Sequence, residues 1–382
     1  MPQLTPLEVA TDSVLGVDPG VPPLPTGNSR LSPLAALEQA VLPAVARPPC
    51  VVTFSGGRDS SLVLAVAARV ARREGLPLPV PATIRFVELE RAEESPWQEM
   101  VLAHLKLVDR VIIDVRTDFD LVGPLAGPLL LRHGVLWPLN VYLHAALMGS
   151  ARGGSLMTGM TGDSLFGEGR WFKAQEVLAG RRKPEPRDVL RLGLAIAPRW
   201  LRQRALRGRV EAVPWLRPAA REAWAEARVR AEASTPWRWD RWIEHVSRRR
   251  AWRIANESMN ELAAAEGTTH VQALGDRSFL ACLAKAGGIR GIGDRTAIMR
   301  ALFADVLPDP VLARSDKAVF GAAFVGDRTR EFARSWRGQG VDPGLVDPEV
   351  LRAAWVGERF NPRAALLLQA AWLYQQRSGS AR

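Results

Sequence analysis

Apolar residues fall along this chain in short continuous runs set between longer stretches of helical spacing. The run Cys50-Val51-Val52-Thr53-Phe54 is too short for a buried helix and reads as a strand. Thr83–Phe86, Arg110–Val115 and Ser155–Thr158 read the same way. Around them apolar positions recur every three or four residues, which predicts helices at Pro33–Ala46, Ser60–Arg73, Pro96–Leu105 and Leu139–Ser150. Strands alternating with helices predict an α/β fold, a parallel sheet with helices on both faces.

The pattern changes outside this region. Residues 1–32 are rich in Pro and Gly and predict a loosely ordered arm over the surface. From 171 to 253 the spacing is helical throughout, and this stretch holds eight of the thirteen tryptophans. It predicts a helical insertion or lid. Further helices are expected at Arg253–Glu266, Ser278–Ala286, Arg295–Val306 and Arg363–Gln376. The expected division is an arm and helix over 1–47, an α/β core over 48–170, the Arg/Trp-rich insertion over 171–255, and a C-terminal helical part over 256–382.

Charge sharpens this division. The formal charge of +11 comes from 51 Lys and Arg against 40 Asp and Glu, and 181–253 alone has 20 basic and 8 acidic residues. Such a stretch has three readings: nucleic-acid binding through phosphates and stacking, a solvated helical face with Trp on its buried side, or a basic wall attracting an anionic substrate or the acidic part of a peptide. Helical spacing favours the solvated face, so nucleic acid is not the expected partner. Cys50 and Cys282 are the only cysteines and lack metal-ligand spacing, which fits a reducing cytoplasm. No Lys or Arg precedes Arg30, against a targeting leader, and no apolar run reaches the ~20 residues that span a bilayer. A soluble cytoplasmic protein is expected, without a membrane partner.

The candidate chemistry sits at the ends of predicted strands. Ser55-Gly56-Gly57-Arg58-Asp59-Ser60-Ser61 joins the first strand to a helix. Two glycines let backbone N–H groups approach a polyphosphate, the serines add hydroxyl donors, and the helix presents its partly positive N-terminus. Asp59 offers a hard oxygen for Mg²⁺. The G-x-x-x-x-G-K-[ST] spacing is missing, which disfavours ordinary P-loop chemistry. A second turn, Thr158-Gly159-Met160-Thr161-Gly162-Asp163-Ser164-Leu165-Phe166-Gly167, follows the strand at 155–158. Asp163 is then either a helix N-cap or a metal ligand opposite Asp59. A third element, Arg314-Ser315-Asp316-Lys317, follows Leu307-Pro308-Asp309-Pro310. Lys317 is either a surface lysine or a cation that stabilises phosphate charge. The histidines show no ligand spacing.

These three elements together resemble the synthetase domain of glutamine-dependent asparagine synthetase, among the N-type ATP pyrophosphatases, whose sheet is adenine nucleotide alpha hydrolase-like. Ser55–Ser61 matches the family's S-G-G-x-D-S-S loop. The second turn is similar to S-G-E-G-A-D-E-L-F-G, and Leu307-Pro308, Arg314 and Lys317 to the late L-P and R-x-K pattern. The resemblance covers roughly 48–376. It implies that Ser55, Gly56, Gly57, Asp59, Ser60 and Ser61 cradle ATP phosphates, that Asp59 and Asp163 hold Mg²⁺, that Lys317 serves an acyl-adenylate step, and that Thr53, Ile84 and Gly159 lie against the adenosine. The implied reaction activates a carboxylate as acyl-AMP, releases pyrophosphate, and joins the acyl group to an amine.

Two departures bear on the substrate. Met160 stands where the family has a catalytic-loop glutamate, and Ser164 replaces the glutamate after the aspartate. The chain opens Met1-Pro2 with some fifty residues before the phosphate loop, which leaves no expected room for a glutaminase half. Ammonia, a separate glutaminase, or an amine within the substrate would then supply nitrogen. The last resembles β-lactam synthetases and the cyclases that close lasso-peptide macrolactams. Two other readings stay open: a tRNA-modifying enzyme with the same phosphate loop, and a noncatalytic ATP-binding protein.

Overall fold

A computed structural model describes residues 4–25, 31–87, 89, 94–116, 119–167, 169–208, 213–316, 321–357 and 360–379. Its centre is a five-stranded sheet of β1 (Cys50–Thr53), β2 (Val80–Phe86), β3 (Val111–Val115), β4 (Ser155–Met157) and β5 (Thr269–Val271). All neighbours are parallel and the order is β3-β2-β1-β4-β5. The four strands expected from the apolar runs are present. β5 was not anticipated, because it is three half-buried residues at a sheet edge and carries no apolar run.

Successive strand residues point to opposite faces, and the packing follows that alternation. Cys50, Val52 and Met157 join the helices Pro33–Val45 and Arg58–Glu74 in one apolar core. Val51, Ala82 and Leu156 join Ala126–His133 and Val141–Met148 in a second. The sheet is therefore covered on both faces, as the near-continuous apolar strands required.

The N-terminal region departs from the loose arm expected. Pro6–Thr11 is a helix with Thr5 and Glu8 forming a reciprocal capping box. It is held from outside, since the buried Trp215 donates its indole N–H to the Ala10 carbonyl at 2.8 Å. Six residues are too few to stabilise themselves, so tertiary contact decides this helix. Between β4 and β5 the chain is helical, with Phe172–Leu178, Pro186–Ile196, Arg199–Leu206, Pro218–Ala233, Trp239–Ser247 and Arg250–Ala265. Trp171, Trp215, Trp224, Trp239 and Trp242 are buried there, while Trp200 is 66% exposed. Among the described residues no helix is long and apolar enough to cross a membrane.

Candidate active site

The strand order reverses at β1, whose neighbours β2 and β4 lie on opposite sides. Loops leaving the carboxyl ends of β1 and β4 are thus adjacent, and ligands of open parallel sheets collect at that crevice. From β1 the chain turns through Ser55, Gly56 and Gly57 into the helix Arg58–Glu74. Gly56 has φ +79°, and a Cβ there would come within 3.1 Å of Gln98. Gly57 is the N-cap and has no side-chain capping bond. The first N–H groups of a 17-residue helix are therefore left for an external acceptor. The Ser55 and Ser60 hydroxyls lie 3.2 Å apart, and Ser60 donates to the Gly57 carbonyl at 3.1 Å.

The second loop presses onto this turn because two of its residues have no side chain. A Cβ on Gly159 would stand 2.6 Å from the Ser60 nitrogen, and one on Gly162 would stand 2.2 Å from Asp59 Cγ. Thr161 between them is left-handed at φ +74°, which turns the chain into the short helix Gly162–Phe166. That helix carries Asp163 toward Asp59.

One side chain joins the two carboxylates. Arg295, first residue of the helix Arg295–Phe303, donates from Nη2 to both Asp59 oxygens at 2.6 Å and from Nη1 to Asp163 Oδ1 at 2.6 Å. The Asp59 side chain is 13% exposed and that of Asp163 58%. Burial pushes the Asp59 carboxyl above its ordinary range, and the Arg295 guanidinium pulls the other way. Two hard carboxylates already facing one cation fit Mg²⁺, which takes one or two carboxylates and completes its shell with phosphate oxygens and water. No group of three acidic, His or Cys side chains among the described residues could hold a metal by itself, so a phosphate ligand would have to share it. Arg295 entered the sequence reading only as the start of a helix. A cation 236 positions from Asp59 and 132 from Asp163 belongs to neither loop's motif, and only packing brings it here.

These groups line a cavity of about 340 Å³. Ser55, Gly57, Arg58, Asp59, Ser60 and Asp163 form its polar side, and Ala82, Ile84, Phe86, Leu143, Leu147 and Met160 an apolar one. Thr53 and Gly159 also face it. Gly56 and Ser61 do not. The Gly56 carbonyl accepts from Arg314 at 3.0 Å, and Ser61 is fully buried beneath the loop with no partner for its hydroxyl among the described residues. Ser61 follows Ser60 by one position, about 100° around the helix, which turns it into the core. His144 also lines the cavity. Burial lowers its pKa to about 4, so the ring is neutral at physiological pH.

Lys317 lies outside the described residues, but the segment leading to it lines the same cavity through Arg314, Ser315 and Asp316. Arg314 explains the position of that segment. It is buried, forks onto Glu94 at 2.6 and 2.8 Å, and stacks on Trp97 with its guanidinium 4.7 Å from the ring. A bidentate, stacked arginine has one geometry, and it also bonds the Gly56 carbonyl, so the late segment is pinned to the Ser55–Ser61 loop.

A family model for asparagine synthase matches residues 34–374 of the chain. No curated protein matches it.

Proposed function

The chain belongs to the asparagine synthase family, an ATP-dependent amide ligase family, and from this premise we propose that it activates a carboxylate as acyl-AMP and passes the acyl group to an amine. The observation that carries the reading is the convergence of Asp59 and Asp163, from loops at adjacent strand ends, on one cation beside an uncapped helix N-terminus. In the proposed reaction the carboxylate oxygen attacks the α-phosphorus of ATP and the bond to the β-phosphate oxygen breaks. The neutral amine then attacks the acyl carbon and forms the C–N bond, the C–O bond to the phosphate breaks with its electron pair leaving on AMP, and the proton lost from nitrogen passes to the departing AMP phosphate or to water. The Ser55–Ser60 loop binds phosphate oxygens, and the apolar wall around Ile84 and Met160 receives the base. Mg²⁺ between Asp59 and Asp163 would offset charge on the departing pyrophosphate. Arg295 releases those carboxylates on nucleotide binding and turns its guanidinium to phosphate. Lys317 stabilises charge on the reacting phosphate. Positioning and charge stabilisation supply most of the acceleration.

Met160 cannot act as a base, and Glu94 and Asp316 are both committed to Arg314. An amine presented by the substrate itself, as in closure of a peptide macrolactam, suits such a site better than ammonia liberated nearby. Carboxylate-dependent ATP–pyrophosphate exchange tests the reading. Asp59→Asn is expected to abolish exchange, and Lys317→Ala to leave nucleotide binding intact while stopping turnover. Exchange at the wild-type rate in Asp59→Asn, or loss of nucleotide binding in Lys317→Ala, would contradict these roles.

A further inference from the structure

A second cavity, of about 360 Å³, opens on the other side of Asp163. Ser164, Gly167 and Gly169 of the second loop form one wall, and Arg170, Arg228, Glu232, Trp242 and Arg249 the other. The two cavities share Asp163. Among the described residues the second cavity is lined by three arginines and two carboxylates. Glu232 pairs with both Arg228, at 2.7 Å, and Arg170. Asp163 is committed to Arg295. Arg249 has no carboxylate partner among the described residues; its guanidinium lies 4.7 Å from the centre of the Trp242 ring, close enough to Arg228 for the two cations to repel. Clustered, partly buried cations that outnumber their carboxylates are costly unless an anion joins them. A second orphan lies beside them: the Trp242 indole N–H is buried and has no acceptor among the described residues.

We propose that this cavity binds a carboxylate of the substrate, distinct from the one activated, between Arg228 and Arg249 with Trp242 as its floor. The inference rests on the ligase reading above and adds the substrate class: an acidic peptide that spans both cavities past Asp163. A guanidinium pair repels an ammonium group, so the attacking amine does not bind here. The size of the cavity admits one acidic side chain or a chain terminus with its flanking residues. The site also gives the Arg/Trp-rich segment a use that neither a solvated face nor a phosphate-backbone grip provides, since Arg228 and Arg249 face inward across a loop of the reaction centre.

The test measures binding of a tetramethylrhodamine-labelled glutamate-containing hexapeptide and of its glutamine counterpart, with MgATP affinity measured in parallel. The wild-type protein should prefer the acidic peptide about tenfold, equivalent to about 1.4 kcal/mol. Arg249→Gln and Arg228→Gln should each erase that preference, and Arg249→Lys should restore part of it. Arg207→Gln, an exposed arginine outside the cavity, should keep it. MgATP affinity should stay within about twofold in all four, well below the tenfold step. Equal binding of both peptides to the wild type, or loss of the preference in Arg207→Gln as well, overturns the site. MgATP binding weakened in step with Arg249→Gln would instead make it a phosphate subsite, which also overturns it. Absent MgATP binding in the wild type would count against the ligase reading and leave the peptide comparison to be judged by itself.

Discussion

Replacing Arg295 with Gln removes the cation that bonds both Asp59 and Asp163 and should expose what that position is built to hold. The two arms differ in weight. Asp163 is 58% exposed, so its pair is worth about 0–1 kcal/mol. Asp59 is 13% exposed with both oxygens within 2.6 Å of one guanidinium nitrogen, and stranding such a carboxylate costs about 3–5 kcal/mol before it relaxes by taking up a proton. A net loss of about 3 kcal/mol is expected, or about 4 °C in midpoint for a chain of this size. The pH dependence has a definite sign. Burial already holds the Asp59 pKa above its unfolded value, and without Arg295 it rises further. The protonated form is then the stable one, so the variant should lose stability as pH rises through that raised pKa and recover it below the ordinary carboxylate range. Mg²⁺ gives the second reading. At ten times its dissociation constant it would return about 1.4 kcal/mol to the variant, whereas in the wild type it must first displace the guanidinium and should return less. Urea denaturation followed by circular dichroism, with MgCl₂ against NaCl at matched ionic strength, measures both. An Arg295→Gln protein as stable as wild type, or one that Mg²⁺ stabilises no more than wild type, would refute the claim that Arg295 occupies the metal position.

Gly162→Ala places a Cβ 2.2 Å from Asp59 Cγ, and because Asp59 is clamped the two loops must part; MgATP affinity should fall about tenfold or more in calorimetric titration, while Gly193→Ala, with nothing within 4 Å of its added Cβ, should leave it unchanged. Ser61→Ala removes a buried hydroxyl without a partner and should preserve MgATP affinity with stability equal or up to about 1 kcal/mol higher. Ser60→Ala, which breaks contacts to Ser55 and Gly57, should weaken MgATP binding in the same titration, and identical behaviour of the two variants would remove the distinction drawn between these serines. Burial raises the Asp12 pKa to about 7 from 3.8, against the opposing pull of its hydrogen bond from Trp137. The native state therefore prefers neutral Asp12, and its contribution, at most about 4 kcal/mol, is full at acid pH and lost as pH rises through about 7. Asp12→Asn should flatten that decline in urea midpoints measured across the range.

Much of the site was legible because its parts are local. A strand followed by two glycines, a serine and an aspartate needs only neighbouring residues to form a tight turn into a helix N-terminus, so Ser55, Gly57, Asp59 and Ser60 are identifiable from sequence and all face the cavity. Ser61 was read with them because a motif is written in one dimension, while a helix turns about 100° at each residue and carries it into the core.

What the sequence by itself determined is the alternation of apolar runs with helical spacing, and through it the covered parallel sheet and the two glycine-rich strand ends. Those features are set by interactions within a few residues, so the order of amino acids contains them. The tertiary structure alone decided that β4 lies beside β1, that Gly159 and Gly162 allow their loops to touch, and that Arg295 closes on both carboxylates. It also decided the helix Pro6–Thr11, the strand Thr269–Val271 and the inward arginines around Trp242. Each of these depends on burial and charge supplied by partners outside the local segment, about a hundred residues or more away for the loops, the first helix and the last strand, and no local pattern records which distant partner will arrive.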